Sequence, residues 1–345
     1  MGRSRLNKQA LISFIIKNIE SQQTNIAKIT SEEFGVSKQT VYRYLKELAD
    51  ANHIDVIGSG EKRSYKVKNR AISFTIDLKT ETPDEEDIWR TKVKPALPEL
   101  PPNVNDICHY GIGEMANNVL DHSEASLMQI MVEYNLADIS FWVVDNGIGI
   151  FTKLQREFHL EDKNHAILEL TKGKLTTDPT RHSGEGIFFT SRMFDQFSIW
   201  SEDTVFWGHD KDDWLFIDRP GYVNGTSVYM QIERGSSRTM KELFDRFTPE
   251  LDSEDFGFHK TIVPVKLLQY EGESLVSRSQ ARRLIARFEQ FREVILDFKG
   301  VNIIGQPFAD EVFRIFPTQH PDTHLHPMNT NEDIDRMIRH VGRKP

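Results

Sequence analysis

Three different polar side chains recur every four residues in one short stretch, residues 113–122, which reads GEMANNVLDH. On a helix, Glu114, Asn118 and His122 would lie along one face, because residues four apart are neighbours on a helix surface. A carboxylate, an amide and an imidazole in line are typical of a site for a metal and a nucleotide, not of a packed core. Two glycine-containing stretches follow, DNGIGI at 145–150 and SGEGIFF at 183–189. We expect the three stretches to act together.

The charge of the chain is unevenly distributed. With 345 residues, of which 38% are hydrophobic, the chain is long enough for two or three domains with separate cores. A net charge of -9 and a pI near 5.8 argue against a protein that covers nucleic acid or anionic membrane with its whole surface. Residues 1–70, however, contain 13 basic and 7 acidic side chains, a net charge of +6, so the remaining 275 residues carry -15. One basic end is attached to an acidic body.

A cytoplasmic location without a membrane partner is expected from the cysteine content and the hydropathy pattern. Cys108 is the single cysteine, which excludes an intramolecular disulfide framework and fits a reducing compartment. We interpret it as a small apolar helix residue. No apolar run approaches the roughly 18 residues that a spanning helix needs, and no signal core follows the N-terminus.

The basic end has the pattern of three helices followed by a hairpin. Amphipathic spacing predicts helices at 8–21, 25–34 and from Ser37 onward, with Gly35 as a helix stop, and two short strands at 54–57 and 64–67. This order resembles a winged helix-turn-helix, which implies a DNA partner. The candidate DNA contacts on the third helix are Lys38, Gln39, Thr40, Arg43 and Lys46, and those on the wing are Lys62 and Arg63. The alternative is a helical protein-interaction module with a solvated basic face.

The middle of the chain combines the polar helix with strands and glycine turns. The pattern predicts an edge strand at 71–78, a helix at 104–122, strands at 126–134 and 139–144, and further strands within 197–216 and at 225–232. The spacing of Glu114, Asn118 and His122, then DNGIGI, SGEGIFF and Gly225-Thr226, resembles the N, G1, G2 and G3 boxes of the Bergerat-fold (GHKL) ATPases. Within that group it is most similar to the anti-sigma-factor serine kinases. The resemblance covers about residues 71–235 and implies an α/β sandwich that binds ATP and Mg²⁺.

Each box has a chemical role that its residue types can support. Asn118 offers a neutral oxygen to a Mg²⁺ ion that keeps several waters, and Glu114 is placed as a general base for water or an acceptor hydroxyl. At a strand end, Asp145 can accept from an exocyclic amine, which in the family is that of adenine. Gly147 and Gly149 let the backbone close over the base.

The remaining boxes would bind phosphate and support the base. Gly184 and Gly186 precede a helix predicted at 187–195, whose first amides can hold phosphate. Thr226 is expected under the adenine, and His122 is given a supporting role. Residues 151–183 would form a lid, and its candidate phosphate contacts are Lys172, Lys174 and Arg181. The second glycine stretch departs from the family pattern, because Phe189 stands where many relatives have a third glycine.

The C-terminal part resembles STAS-like domains. A strand at 260–264, a helix at 277–291, a strand at 294–298 and a helix at 308–316 follow one another, and the closest resemblance is to a STAS-like domain of unassigned function found beside such ATPases. The turn at 304–308 reads IGQPF and lacks the phosphorylatable serine of anti-sigma-factor antagonists, so phosphorylation in cis is not expected there. The resemblance implies association with a protein partner. We interpret His320, Asp322, His324 and His326 as a polar loop and not as a metal site.

The predicted protein is therefore an α/β multidomain chain. We expect a DNA-binding domain at 1–70, an ATP-binding domain at 71–235, a linker at 236–254 and a STAS-like domain at 255–345, and the chain could form a homodimer. The first functional hypothesis is a transcription regulator that Mg-ATP binding or hydrolysis switches. The alternatives are a serine/threonine kinase acting on a separate antagonist protein, and a nucleotide sensor without turnover.

Overall fold

The computed structural model describes residues 8–21, 25–60, 63–175, 184–209, 215–248, 258–269 and 274–342. Within these ranges the strands form a two-stranded, a five-stranded and a three-stranded sheet, each with its own helices. The chain is a mixed α/β multidomain protein, as the sequence predicts. In the described part of the chain, no helix combines the length and apolar character that crossing a membrane requires.

The N-terminal domain contains three helices and a hairpin with a separate apolar core. Its elements are α1 (Lys8–Glu20), α2 (Ile26–Phe34), α3 (Lys38–Asp50), β1 (Ile54–Ile57) and β2 (Ser64–Val67), and the two strands pair antiparallel. Gly35 ends α2 in the left-handed conformation with φ 62°, and the Ser37 hydroxyl accepts from the amide of Thr40 to begin α3. Leu11, Ile15, Val41 and Leu45 are at most 2% exposed. Local capping and helical periodicity therefore explain this domain.

The middle domain is built on a five-stranded antiparallel sheet. Its strands are β3 (Arg70–Asp77), β4 (Leu127–Tyr134), β5 (Asp138–Asp145), β6 (Gln196–His209) and β7 (Leu215–Glu233), in the spatial order β3-β4-β5-β7-β6. Its helices are α4 (Glu85–Ile88), α5 (Pro102–His122), α6 (Ile150–Glu157), α7 (Lys163–Lys172), α8 (Gly186–Met193) and α9 (Met240–Phe247). The expected edge strand and the strands within 197–216 are present.

One face of this sheet packs against α5. Along β5 the buried residues alternate, so that Ile139, Phe141, Val143 and Asp145 share a face. Gly111 permits a close approach at this interface, because a Cβ atom there would lie 2.4 Å from the ring of Phe194. The same alternation that buries the apolar residues of β5 directs its final residue, Asp145, into the space beside α5.

The segment 236–254, which we expected to be a linker, contains the packed helix α9. Thr239 and Glu242 form a reciprocal capping box at its start. Leu243 and Phe247 are buried, and the ring of Phe244 packs on Tyr110 and Phe189. The described part of this segment therefore belongs to the middle domain, because its apolar side chains cover α5 and α8.

The C-terminal domain contains a parallel sheet in the order β10-β9-β8. The strands are β8 (Lys260–Pro264), β9 (Glu293–Asp297) and β10 (His324–Met328), and the helices are α10 (Arg278–Ile285), α11 (Gln306–Asp310), α12 (Phe316–Gln319) and α13 (Glu332–Gly342). Two expectations are corrected. The helix predicted at 277–291 ends at Ile285, because Arg287 is left-handed with φ 64°. His324 and His326 lie on the edge strand β10 and not in a loop, since they pair with Glu293 and Ile295.

The N-terminal domain packs on the turn between β4 and β5. Ala137 in that turn is 1% exposed and belongs to the apolar core of the N-terminal helices. The amide of Asn135 donates to Glu20 of α1 over 2.7 Å, and Lys17 forms an ion pair with Glu233 at the end of β7. The basic end is therefore attached directly to the sheet.

Asp138 makes this contact sensitive to pH. Burial raises the pKa of Asp138 to about 7, with Lys17 opposing the shift and the negative charges of Glu20 and Glu233 adding to it. The folded state therefore binds this proton more tightly than the unfolded chain does. The resulting stabilisation is complete below the usual pKa of 3.8 and is lost as the pH rises through about 7.

We expect Asp138→Asn to become more stable relative to the wild type as the pH rises from about 4 to about 8, because the asparagine does not ionise. Thermal melting of both proteins at several pH values measures this difference. The exposed Asp106→Asn is the matched control and should show no such trend. A constant difference between Asp138→Asn and the wild type at all pH values would contradict the prediction.

Candidate functional site

A cavity of about 530 Å³ lies between α5 and the end of the sheet where β5 stops. This volume is within the range of small-molecule sites. The cavity is lined by most of the residues that the sequence singles out, although they are far apart along the chain. The predicted site residues among the lining are Glu114, Asn118, His122, Asp145, Gly149, Gly184, Gly186 and Thr226.

Asp145 is a buried residue of the cavity lining. It is 5% exposed, and its carboxylate accepts from the amide of Gly147 over 2.7 Å. Burial raises its pKa, while hydrogen bonds from Gly147 and Thr226 act against the shift. The Thr226 hydroxyl accepts from the amide of Ile150 over 3.0 Å, so β7 and the start of α6 are joined beside Asp145.

The glycines around Asp145 allow close backbone approaches. Gly147 does not line the cavity, but a Cβ atom there would lie 2.0 Å from the carbonyl oxygen of Ser123. At Gly225, where φ is 75°, a Cβ atom would lie 2.2 Å from the carbonyl oxygen of Asp145. Both contacts are with backbone atoms that cannot move aside cheaply. These glycines therefore position the turn that carries Asp145 against α5 and β7.

Glu114 lies at the side of the cavity where α8 begins. A Cβ atom on Gly186 would lie 2.0 Å from Oε2 of Glu114, so the glycine allows the carboxylate to face the start of α8. Tyr110 lies one turn earlier on α5, and the carboxylate of Glu114 acts on its hydroxyl. Burial raises the pKa of Tyr110, and the negative charges of Glu114 and Glu185 add to this effect. Tyr110 thus remains protonated and can donate to Glu114.

Lys153 is a cavity residue that the sequence interpretation missed. Its ammonium group donates to the carbonyl oxygen of His122 over 2.7 Å, which connects α6 to the end of α5. The sequence signal that could have identified Lys153 was its position one helical turn after Gly149, which lines the cavity. Asn117 and Asp121 also line the cavity, so Asn118 is not the only amide there among the described residues.

Two predicted phosphate contacts do not line the cavity. The ammonium group of Lys174 donates to the carbonyl oxygen of Gln290 over 3.0 Å and lies 5.1 Å from the ring centre of Phe291. Lys172 is 0% exposed and donates to the carbonyl oxygen of Ala286 over 2.9 Å. Both lysines therefore attach to the C-terminal domain. Arg181 lies outside the described residues.

The candidate DNA contacts lie on the surface of the N-terminal domain. Lys38, Gln39, Arg43, Lys46 and Arg63 are exposed, Thr40 is half-buried, and Lys62 lies outside the described residues. Arg43 approaches Glu47 within 3.7 Å, which offsets part of its charge. Tyr42, which the sequence interpretation did not include, is 52% exposed on the same helix.

A protein-only metal cluster is absent from the described part of the chain, which contains no group of three or more His, Cys, Asp or Glu side chains able to hold an ion. This finding includes His320, Asp322, His324 and His326. A Mg²⁺ site at Asn118 would be of a different kind, because the protein would supply a single amide oxygen and the other ligands would come from water and phosphate.

The comparison with known protein families identifies the C-terminal domain. A family described as a STAS-like domain of unknown function (DUF4325) matches residues 280–335, from α10 into α13. The predicted STAS-like domain is therefore confirmed for these residues. No curated protein matches the chain.

Proposed function

We propose that the middle domain is a Bergerat-fold domain that binds Mg-ATP, and that the N-terminal domain is a winged helix-turn-helix that binds DNA. The observation that carries the proposal is the cavity of about 530 Å³, which collects Glu114, Asn118, Asp145, Gly186 and Thr226 from four separate parts of the chain. An unrelated domain whose glycine turns were only turns would not be expected to place a carboxylate, an amide and a buried aspartate around one cavity.

The donor set fits Mg-ATP. The buried carboxylate of Asp145 can accept from the exocyclic amine of adenine, and the amide oxygen of Asn118 can bind Mg²⁺. The start of α8 at Gly186 presents backbone amides where phosphate would be held. When bound, Mg-ATP supplies a phosphoanhydride bond that can be cleaved. Glu114 would then accept a proton, with the protonated hydroxyl of Tyr110 available as a donor to its carboxylate.

The basic surface of the N-terminal domain supports DNA as the partner. Lys38, Arg43 and Lys46 are exposed on α3, and Arg63 is exposed beside β2. Cationic side chains at the start of an exposed helix and beside a hairpin can contact phosphates and base edges together. The acidic remainder of the chain would disfavour DNA elsewhere on the surface.

Strand β5 provides a physical connection between the two proposed sites. Asp138 at its first position faces the N-terminal domain, and Asp145 at its last position lines the cavity. A ligand can shift the DNA-binding equilibrium only if it has different affinities for the two states of the protein. A displacement of β5 would change both contacts at once, and this is how we propose that the nucleotide regulates DNA binding.

The test is the affinity of the full chain for DNA at one fixed salt concentration, measured with and without Mg-ATP. We expect at least a fivefold difference, which is the lower range of allosteric coupling. The salt must be held constant because ionic strength alone changes such affinities greatly. Arg43→Ala should weaken DNA binding in both conditions. Equal affinity with and without Mg-ATP would contradict nucleotide control of DNA binding.

An assay with labelled ATP distinguishes this proposal from the alternative that the protein is a protein kinase. Release of free labelled phosphate would support a nucleotide-driven regulator. Label on a co-purifying protein would instead favour the serine/threonine kinase, in which Glu114 would accept the proton of an acceptor hydroxyl.

A further inference from the structure

Helix α7 is shared between the cavity and the C-terminal domain. Leu170 of α7 lines the cavity. The hydroxyl of Thr261 on β8 donates to the carbonyl oxygen of Lys172 over 2.7 Å, and the buried ammonium group of Lys172 donates to the carbonyl oxygen of Ala286. One helix therefore forms the wall of the cavity and is bonded to the STAS-like domain.

Arg287 of the C-terminal domain joins α7 to the segment that follows it. Its guanidinium donates to Glu169 over 2.9 Å, to the carbonyl oxygen of Gly173 over 3.2 Å and to the carbonyl oxygen of Lys174. Glu169 is 1% exposed. Burial alone would raise its pKa, but the charges of Lys172 and Arg287 outweigh burial and lower the pKa of Glu169 to about 2. The carboxylate is thus ionised and holds the guanidinium in place.

The backbone at both ends of this contact is left-handed. The φ angles are 81° at Gly173, 54° at Lys174 and 64° at Arg287. Left-handed backbone is unfavourable for residues with a Cβ atom, so surrounding contacts have to maintain it. At Lys174 and Arg287 those contacts are the hydrogen bonds between the two domains. The hydrogen bonds of Arg287 therefore stabilise the left-handed backbone at both ends of the contact.

The residue after Lys174 belongs to the cavity. Leu175 lines it, and Gly184 packs so closely on Leu175 that an added Cβ atom would lie 2.6 Å from the backbone nitrogen of Leu175. Gly184 itself lines the cavity two residues before α8. The carbonyl group of Lys174, which Arg287 binds, is thus bonded to Leu175, and Leu175 contacts Gly184, although Arg287 does not line the cavity.

We propose that the STAS-like domain controls the affinity of the cavity for nucleotide within the same chain, with Arg287 as the positioning residue that holds Leu175 and Gly184 in place. This inference rests on the proposed function, because it takes Mg-ATP as the ligand. The partner of the STAS-like domain is accordingly the lid-side helix α7 of its own chain. A second protein that displaced Arg287 from Gly173 and Lys174 would lower nucleotide affinity.

The test compares the full-length wild type with Arg287→Lys, Arg287→Ala and the matched control Arg282→Ala. Arg282 lies on α10 of the same domain and pairs with Glu311, within the C-terminal domain. Lysine keeps a positive charge beside Glu169, but a single ammonium group cannot reproduce the planar, forked contacts of the guanidinium. Arg287→Lys therefore remains informative if Arg287→Ala fails to fold.

Two measurements give the result. Hydrogen exchange without nucleotide should be at least tenfold faster at residues 173–175 and 184–186 in both Arg287 variants, at an unchanged melting temperature for Arg287→Lys. Calorimetry should show a Kd for Mg-ATP at least fivefold higher in these variants, with Arg282→Ala within twofold of the wild type. Wild-type exchange and wild-type Kd in Arg287→Lys and Arg287→Ala would overturn the proposal.

The exchange and calorimetry measurements also distinguish failure of this proposal from failure of the assignment of Mg-ATP as the ligand. If the wild type does not bind Mg-ATP, the proposed function fails, and control of nucleotide affinity fails with it. The exchange measurement without nucleotide still decides whether Arg287 fixes the wall of the cavity. If the wild type binds Mg-ATP and Arg287→Lys binds it equally well, the proposed function stands and control of nucleotide affinity through Arg287 is refuted.

Discussion

Replacement of Glu114 by glutamine is expected to leave Mg-ATP binding within about threefold of the wild type and to reduce ATP turnover by roughly 10²- to 10⁴-fold, the range for the loss of a general base. The physical reason is that glutamine keeps the size and the hydrogen-bonding oxygen of Glu114 but cannot accept a proton at neutral pH. The contact with Tyr110 can persist, since its hydroxyl can donate to the amide oxygen. Phosphate release and calorimetric binding, measured on the same preparation, give the two values.

The control for this prediction is Glu157→Gln. Glu157 lies on α6, is exposed and does not line the cavity, so the same chemical change there should alter neither binding nor turnover. Turnover at the wild-type rate in Glu114→Gln would show that another group accepts the proton. A wild type that binds Mg-ATP without turnover would instead support the nucleotide sensor.

The residues brought together in the cavity were predictable where the geometry is local. Glu114 and Asn118 share a face because of helical periodicity, and Asp145 follows an alternating strand whose buried face it continues. Thr226 lies on β7, next to β5 in the sheet, and this adjacency came from the resemblance and not from periodicity. The spacing of residues within one helix or strand can be predicted from the sequence, whereas the pairing of distant strands cannot.

Two lysines of the predicted lid show why the remaining contacts of the candidate site could not be predicted from the sequence. Lys172 and Lys174 are separated by more than 100 residues from the carbonyl oxygens that they bind, those of Ala286 and Gln290. A loop charge gives no local signal for which domain it will contact. Lys172 is also fully buried, which is rare for lysine; it pairs with Glu169 on its own helix and donates to Ala286 of the other domain.

Of two further differences between prediction and structure, one had a local signal in the sequence and the other did not. The capping box of Thr239 and Glu242 in front of Leu243 and Phe247 is the pattern of a helix start, although we expected a linker at 236–254. The break after Ile285 had no such signal, because the contacts of the left-handed Arg287 are with Glu169, Gly173 and Lys174, more than 100 residues earlier in the chain. Tertiary contacts overrode local preference there.

The second large effect is expected at Asp145. In the wild type, one oxygen of this buried carboxylate accepts from the amide of Gly147. In Asp145→Asn, the side-chain oxygen would keep that bond, and the NH₂ group would face the adenine amine as a second donor. Loss of a hydrogen bond to a charged group corresponds to about 1.5–3 kcal/mol, or roughly 10- to 150-fold in Kd. Calorimetry with Mg-ATP measures the change, and Asp106→Asn on the exposed side of α5 should bind as the wild type does.

The pH dependence of binding tests the same assignment independently. Because burial raises the pKa of Asp145, its carboxylate takes up a proton at a higher pH than an exposed aspartate does. Once protonated, it loses the charge that favours the adenine amine. The affinity of the wild type for Mg-ATP should therefore fall more steeply than that of Asp145→Asn as the pH is lowered through this raised pKa, since only the wild-type side chain titrates. Parallel pH profiles for the two proteins, or equal affinity of the wild type for ATP and GTP, would remove Asp145 as the residue that recognises adenine.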